Sequence, residues 1–164
     1  MFNCRTRATK GLWFDLEDVN DWADVHEALH RAGLIRANYG GDILVADIEG
    51  AIARCCYSLH CDLFDLARYI ELRDDIDQND FDREAVAAFV GWYGSWDADA
   101  FENAYMGRYD SEQACAEQYI DDTGLLSEMP ENLLFYFDTE RFACDLFMGD
   151  YYFDDGGYVF CANC

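Results

Sequence analysis

The chain predicts an α+β fold. Three observations point there: an aromatic strand candidate near the start, amphipathic helical stripes through the middle, and a hairpin signal at the end. Gly11–Leu16 (GLWFDL) reads as the strand. Asp18 can cap a helix in which Val19, Trp22, Val25, Ala28, Leu29 and Ala32 recur at helical spacing until Gly33. Residues 43–46 (ILVA) read as a buried strand, so this α+β portion ends near residue 50. Between residues 58 and 73, Leu59, Leu63, Leu66, Ala67 and Ile70 form one helical stripe; between 82 and 93, Val86, Phe89, Val90 and Tyr93 form another. After Trp96, residues 107–111 interrupt the pattern, and Asp110 with Gln113 resembles a capping box opening a helix that Gly124 closes. Pro130 suits the first position of a short helical segment through Phe137. Asp138 then caps a helix with Phe142, Ala143, Leu146 and Phe147 inward and Gly149 as terminator. Tyr151–Phe153 and Tyr158–Phe160 flank Asp154, Asp155, Gly156 and Gly157, which is a hairpin signal.

Charge restricts function more than it restricts fold. The 164 residues hold 34 acids against 11 Lys and Arg, a formal net charge of -23. That excludes a broad basic face for nucleic acid or an anionic membrane. At 52% hydrophobic and 16% aromatic residues, the chain is also too apolar for a disordered acidic tail. Self-repulsion at this density costs stability, and one way to relieve it is a saline cytosol, where the Debye length falls to about 3 Å at 1 M salt. Eight Cys and twelve Phe are heavier than that adaptation requires. The distribution is also uneven: residues 84–164 carry 17 acids and two bases, Arg108 and Arg141, whereas residues 1–83 carry 17 acids and nine bases. Lys10 is the only lysine. In the second half the acids interleave with apolar residues at helical spacing, which puts them on outer faces.

The chain shows little catalytic chemistry, and a non-enzymatic role is expected. It has no glycine-rich phosphate loop, no His-Glu-x-x-His pair and no Gly-x-Ser-x-Gly elbow. His26 and His30 lie four apart on one helical face and read as a partly exposed pair beside a core stripe. Asp75, Asp77 and Asn79 have the alternation of a calcium loop, but Asp80 stands where Gly is needed and Val86 where a bidentate Glu is needed. For zinc, Cys161 and Cys164 have ligand spacing, with Cys55, Cys56, His60 and Cys61 as a second cluster of unsuitable internal spacing. No cofactor is expected. The eight Cys, at 4, 55, 56, 61, 115, 144, 161 and 164, do not form the framework of a small secreted domain. Neither a secretory leader nor about 18 uncharged apolar residues in a row is visible, so a cytoplasmic protein with reduced thiols and no membrane contact is expected.

What remains is the anionic surface. B-DNA carries one charge per roughly 1.7 Å of axis, so 23 charges correspond to about 40 Å of duplex. A firm body bearing such an array could occupy the basic groove of a DNA-binding protein as a competitive decoy without binding nucleic acid itself. The candidate phosphate surrogates are Asp97, Asp99, Glu102, Asp110, Glu112, Glu117, Asp121, Asp122, Asp138, Glu140, Asp145, Asp150, Asp154 and Asp155.

Six segments carry a family resemblance: Gly11–Leu16, Asp47–Gly50 (DIEG), Phe101–Ser111 (FENAYMGRYDS), Gln118–Gly124 (QYIDDTG), Met129–Leu133 (MPENL) and Tyr136–Leu146 (YFDTERFACDL). In this ordered series the chain resembles the ArdA antirestriction proteins, which are encoded on mobile elements and mimic DNA to inhibit type I restriction-modification enzymes. The resemblance implies an elongated molecule of three small subdomains: α+β over residues 1–52, mostly helical over 53–96, and α+β over 97–164. It also implies a homodimer, and a partner in the specificity and methyltransferase subunits of a type I complex. The family's antirestriction segment matches residues 124–134 (GLLSEMPENLL), where Leu125, Leu126, Met129, Pro130 and Leu133 are expected near the dimer contact as packing groups. Phe153 is a further dimer candidate. The same mimicry aimed at another defence complex, and a Cys-based metal or redox adaptor, are the alternative readings.

Overall fold

The computed structural model describes residues 2–5, 11–38, 40, 43–58 and 63–163. It is an α+β protein whose chain divides into two compact units, Met1–Gly94 and Ser95–Cys164. The segments 1–52 and 53–96 therefore fall almost wholly within one unit. Among the described residues no helix is long and apolar enough to cross a membrane.

In the first unit, β1 (Phe2–Arg5) is the centre of an antiparallel sheet of order β2-β1-β3, between β2 (Gly11–Phe14) and β3 (Leu44–Ile48). β2 is the aromatic strand expected from GLWFDL. β3, at one edge of the sheet, is exposed or half-exposed along its length, not buried as its apolar run suggests. After a 3-10 turn at Leu16–Asp18, α1 (Trp22–Arg31) is capped by Asp21 rather than Asp18. The Asp21 carboxylate accepts from Ala23 N at 2.7 Å and Asp24 N at 3.1 Å, and Asp24 answers by accepting from the Asp21 N–H, which completes a capping box. Val25 and Leu29 are its fully buried positions, and Gly33 at φ 70 ends it as anticipated.

α2 (Ala51–Cys55) leads into a short hairpin, β4 (Tyr57–Ser58) with β5 (Leu63–Phe64), and α3 spans Leu66–Asn79. The helix expected from residue 58 thus starts eight residues later. Asp65 stops its extension backwards by taking the Arg68 N–H, and Leu63, counted in the stripe, is 65% exposed on a strand. Leu59, His60 and Cys61 lie outside the described residues. The inward face of α3 is Leu66, Tyr69, Leu72, Arg73 and Ile76, with Ala67 outside. α4 (Arg83–Tyr93) is capped by Asp82, packs against α2 and buries Ala85, Val86, Phe89 and Val90. Tyr93, expected inward, is exposed but lies stacked 5.0 Å from the Phe89 ring.

Two arginines tie these pieces together. Arg73 is buried, and its guanidinium donates to the carbonyls of Leu16 (3.2 Å) and Val19 (2.8 Å) where the 3-10 turn ends. Arg83 pairs with Glu17 through both nitrogens and with Asp77 at 2.9 Å. The Arg83 hydrogen bond holds the Glu17 carboxyl below its ordinary value, against the opposing effect of burial. The Tyr69 hydroxyl also donates to Glu17, and its own ionisation is pushed up to about 12, chiefly by burial.

In the second unit, α5 (Ala98–Ala104) runs directly into β6 (Tyr105–Arg108), followed by α6 (Glu112–Thr123), α7 (Glu131–Leu134), α8 (Thr139–Phe147), β7 (Tyr151–Phe153) and β8 (Tyr158–Cys161). The antiparallel sheet has order β6-β8-β7, so the expected hairpin gains a third strand on the far side of β8. β8 is buried throughout, and Phe101, Tyr105 and Phe160 form its ring cluster at centroid separations of 5.2 to 6.4 Å. α6 packs on α8. Ser111, not Asp110, caps α6, its hydroxyl accepting from Ala114 N at 3.1 Å; Gly124 at φ 62 closes the helix. Pro130 is the residue before α7 rather than its first, and Asp138 caps α8.

The hairpin is locked at Gly157. Its carbonyl accepts the Tyr109 N–H at 2.8 Å, its φ is 87°, and a Cβ there would lie 2.4 Å from the Tyr109 carbonyl oxygen. Both conformation and space forbid a side chain. Gly157→Ala is expected to lower stability by about 2–4 kcal/mol, read as an earlier urea or thermal midpoint; an unchanged midpoint would contradict the lock. For Glu17 the sign follows from its lowered folded-state value. The Arg83 pair stabilises fully above the free-carboxyl value of 4.5 and its contribution is lost as pH falls through the depressed folded value. Glu17→Gln should remove that part of the acid sensitivity, measured as a shallower fall of midpoint with pH below 4.5; identical slopes would refute the assignment.

Candidate functional site

The two units treat their charges differently. In the first, Arg31 pairs with Glu27, Arg73 with Asp74, and Arg83 with Glu17 and Asp77. In the second, no salt bridge forms among the described residues. Its two bases face sixteen acids from residue 95 onward. Arg108 is committed to the scaffold: its Nε donates to the Gly156 carbonyl at 3.0 Å, and its guanidinium lies 5.4 Å over the Tyr158 ring.

The fourteen nominated acids are therefore on the surface without cationic compensation. Asp97, Asp99, Glu102, Asp110, Glu112, Glu117, Asp121, Asp122, Asp138, Glu140, Asp145, Asp150 and Asp155 are exposed, and Asp154 is half-buried. They divide by what else they do. Asp97 caps α5 by accepting from Ala100 N at 2.8 Å, Asp138 caps α8 by accepting from Arg141 N at 3.0 Å, and Asp154 turns the hairpin by accepting from Gly156 N at 2.6 Å. Gln113 and Gln118 donate to Glu117 and Asp122 one helical turn on, at 2.8 Å each. Asn163 donates to Asp150. Glu128 and Glu131, which stand outside the fourteen, are equally exposed; in the sequence they sit among Leu125, Leu126, Met129 and Leu133, where apolar residues dominate the pattern.

Residues 125–133 are only partly covered. Leu125 and Leu133 are exposed, Leu126 and Met129 are half-buried, and Pro130 is exposed. Beyond them Phe135 is 89% and Tyr136 78% exposed, which the expected continuation of the helix to Phe137 concealed. The signal was in the sequence as Leu133, Leu134, Phe135, Tyr136 and Phe137 in unbroken succession, more apolar residues than a four-residue helix can bury. Phe153 is half-buried against Phe147.

Among the described residues, metal or nucleophile chemistry does not assemble. A cleft of about 1110 Å³ in the first unit is bordered by Trp22, Cys55, Cys56, Tyr57, Phe64 and Arg68. Burial pushes the Cys55 thiol up and the Cys56 thiol to about 12, with Arg68 opposing only weakly, which is the reverse of an activated nucleophile. Burial raises Cys115 as well. Cys161 is disulfide-bonded, contrary to the expectation of reduced thiols, and offers no thiolate to a metal; Cys164 lies outside the described residues. Asp75, Asp77 and Asn79 lie within α3, not in a loop, with Asp77 engaged by Arg83. Among the described residues no three His, Cys, Asp or Glu side chains converge as metal ligands.

Antirestriction proteins are the class into which this chain falls. A sequence model of the antirestriction protein (ArdA) family matches residues 8–160, and the chain belongs to that family. No curated protein matches it. Membership brings antirestriction function in general, with restriction-modification enzymes as the partners in question.

The capping acids separate structural from surface roles. Asp97→Ala and Asp138→Ala should each cost about 1 kcal/mol through loss of the cap, whereas Asp97→Asn and Asp138→Asn should cost little, because Asn caps as well as Asp. Denaturation midpoints of the four variants check this; equal losses in the Ala and Asn pairs would show that charge, not the cap, matters there.

Proposed function

We propose that the protein is an acidic DNA mimic that occupies the DNA-binding groove of type I restriction-modification enzymes, at the specificity and methyltransferase subunits, and so blocks them. The observation that carries this reading is the second unit's surface, sixteen acids over residues 95–164 with two bases and no internal ion pair among the described residues. Cations left out of a fold this acidic leave the carboxylates available to a partner's Lys and Arg. The net charge of -14 on those residues matches that of roughly 24 Å of duplex.

The proposal includes action in the cytoplasm and pairing of two copies through Leu125, Leu126, Met129, Pro130 and Leu133, which would lengthen the charged array. Individual carboxylates contribute little, since an exposed pair is worth about 0.2–1 kcal/mol. The array acts collectively, and its free energy comes largely from the counterions that partner and mimic release on contact.

The test is displacement of a labelled duplex from a type I methyltransferase. Micromolar protein at low salt should displace it, and the affinity should fall at least about 100-fold between 50 and 200 mM salt. Single changes such as Asp121→Asn should cost less than about fivefold, while the block Glu112→Gln, Glu117→Gln, Asp121→Asn and Asp122→Asn should cost about tenfold or more with stability kept or raised. No displacement, or a flat salt response, sinks the reading.

A further inference from the structure

Phe135 and Tyr136 project where α7 ends, their rings meeting edge-on at 5.7 Å and 87°. They are held out rather than left loose. The next residue, Phe137, is half-buried with its ring 5.7 Å from Phe142, which in turn lies 6.1 Å from Tyr119 of α6. The Tyr136 N–H donates to Leu133 O and the Phe137 N–H to Leu134 O, closing the turn beneath the two rings.

Their chain neighbours are anionic. Glu128, Glu131, Asp138 and Glu140 are exposed on either side, and Arg141 is the only base between residues 109 and 164. The pairing proposed above uses residues 125–133; extended over Phe135 and Tyr136 by a two-fold contact, which sets a patch against itself, it would also bring Asp138 and Glu140 toward their own counterparts. Charge complementarity favours a cationic partner. Grooves that hold nucleic acid supply both parts of the match: cations along the backbone track, and aromatic or apolar platforms on which bases stack. Enzymes that modify a base draw it out of the duplex into such a pocket.

We infer that Phe135 and Tyr136 are base surrogates: rings that enter the base-stacking pocket of a DNA-handling enzyme while the neighbouring acids occupy its phosphate sites. This rests on the DNA-mimic reading above and extends it from the phosphates to the bases. The two contributions separate by salt. Carboxylate contacts weaken as salt rises, whereas ring stacking adds affinity that is nearly salt-independent.

The same displacement assay, with the full chain, tests it. Phe135→Ala with Tyr136→Ala should lower affinity about tenfold or more, with the slope of log affinity against log salt unchanged. Thermal midpoint and sedimentation mass should stay at wild-type values, and Tyr136→Phe alone should bind as the wild type does. Wild-type affinity in the double variant overturns the inference alone. A fall in the double variant's assembly mass also overturns it, by assigning the rings to contact between copies. Failure of the wild type itself to displace the duplex removes the mimic reading and this inference together, and so is told apart from the first two results.

Discussion

Repulsion between like charges is the constraint around which this protein is built. With 34 acids and 11 bases, any carboxylate placed at random on the surface works against the compact state. One location reverses that sign: the N-terminus of a helix, where free N–H groups and the positive end of the macrodipole receive an anion. The structure uses it repeatedly. Asp15, Asp21, Asp65, Asp82, Asp97 and Asp138 each accept backbone N–H groups at the start of a helical element. At these points an acid that adds to the surface charge also stabilises the element that presents it.

The remaining repulsion is met differently in the two units. The first uses its arginines as internal ties: Arg73 binds the Leu16 and Val19 carbonyls at the end of the 3-10 turn, and Arg83 joins Glu17 to Asp77. The second relies on apolar packing. Its fully buried β8 and the sequence of rings from Phe137 through Phe142, Tyr119, Tyr151 and Phe147 to Phe153 hold the fold without spending a cation on a carboxylate. The division follows the composition, since nine of eleven bases precede residue 84.

Much of this was legible in the sequence where local chemistry decides. The α4 stripe apart from Tyr93, the Asp138 cap, the Gly33 and Gly124 terminators and the closing hairpin all rest on short-range signals, and all appear in the structure. The misplacements share a cause. Asp18 for Asp21 and Asp110 for Ser111 were choices among several polar residues within three positions, which only the geometry of the N–H groups settles. The helix drawn back to residue 58 mistook a hairpin for a continuing stripe, because Leu63 falls in helical register with Leu66 and Ile70. β1, at the centre of its sheet, pairs with partners 6 to 46 residues away, and such pairing leaves no local pattern. For the site, exposure of the acids followed from spacing, but the display of Phe135 and Tyr136 did not: an apolar run looks the same whether it packs or projects.

The scarcity of cations in the second unit also shapes how that unit meets a protease. An enzyme that cuts after basic residues finds only two candidate bonds there. One follows Arg108, at the end of a paired strand with its guanidinium held by the Gly156 carbonyl; the other follows Arg141, inside the first turn of α8. Neither bond lies in the kind of extended, open loop that a protease cleft can receive. The exclusion of lysine and arginine that leaves the carboxylates bare thus also shields residues 95–164 from tryptic digestion.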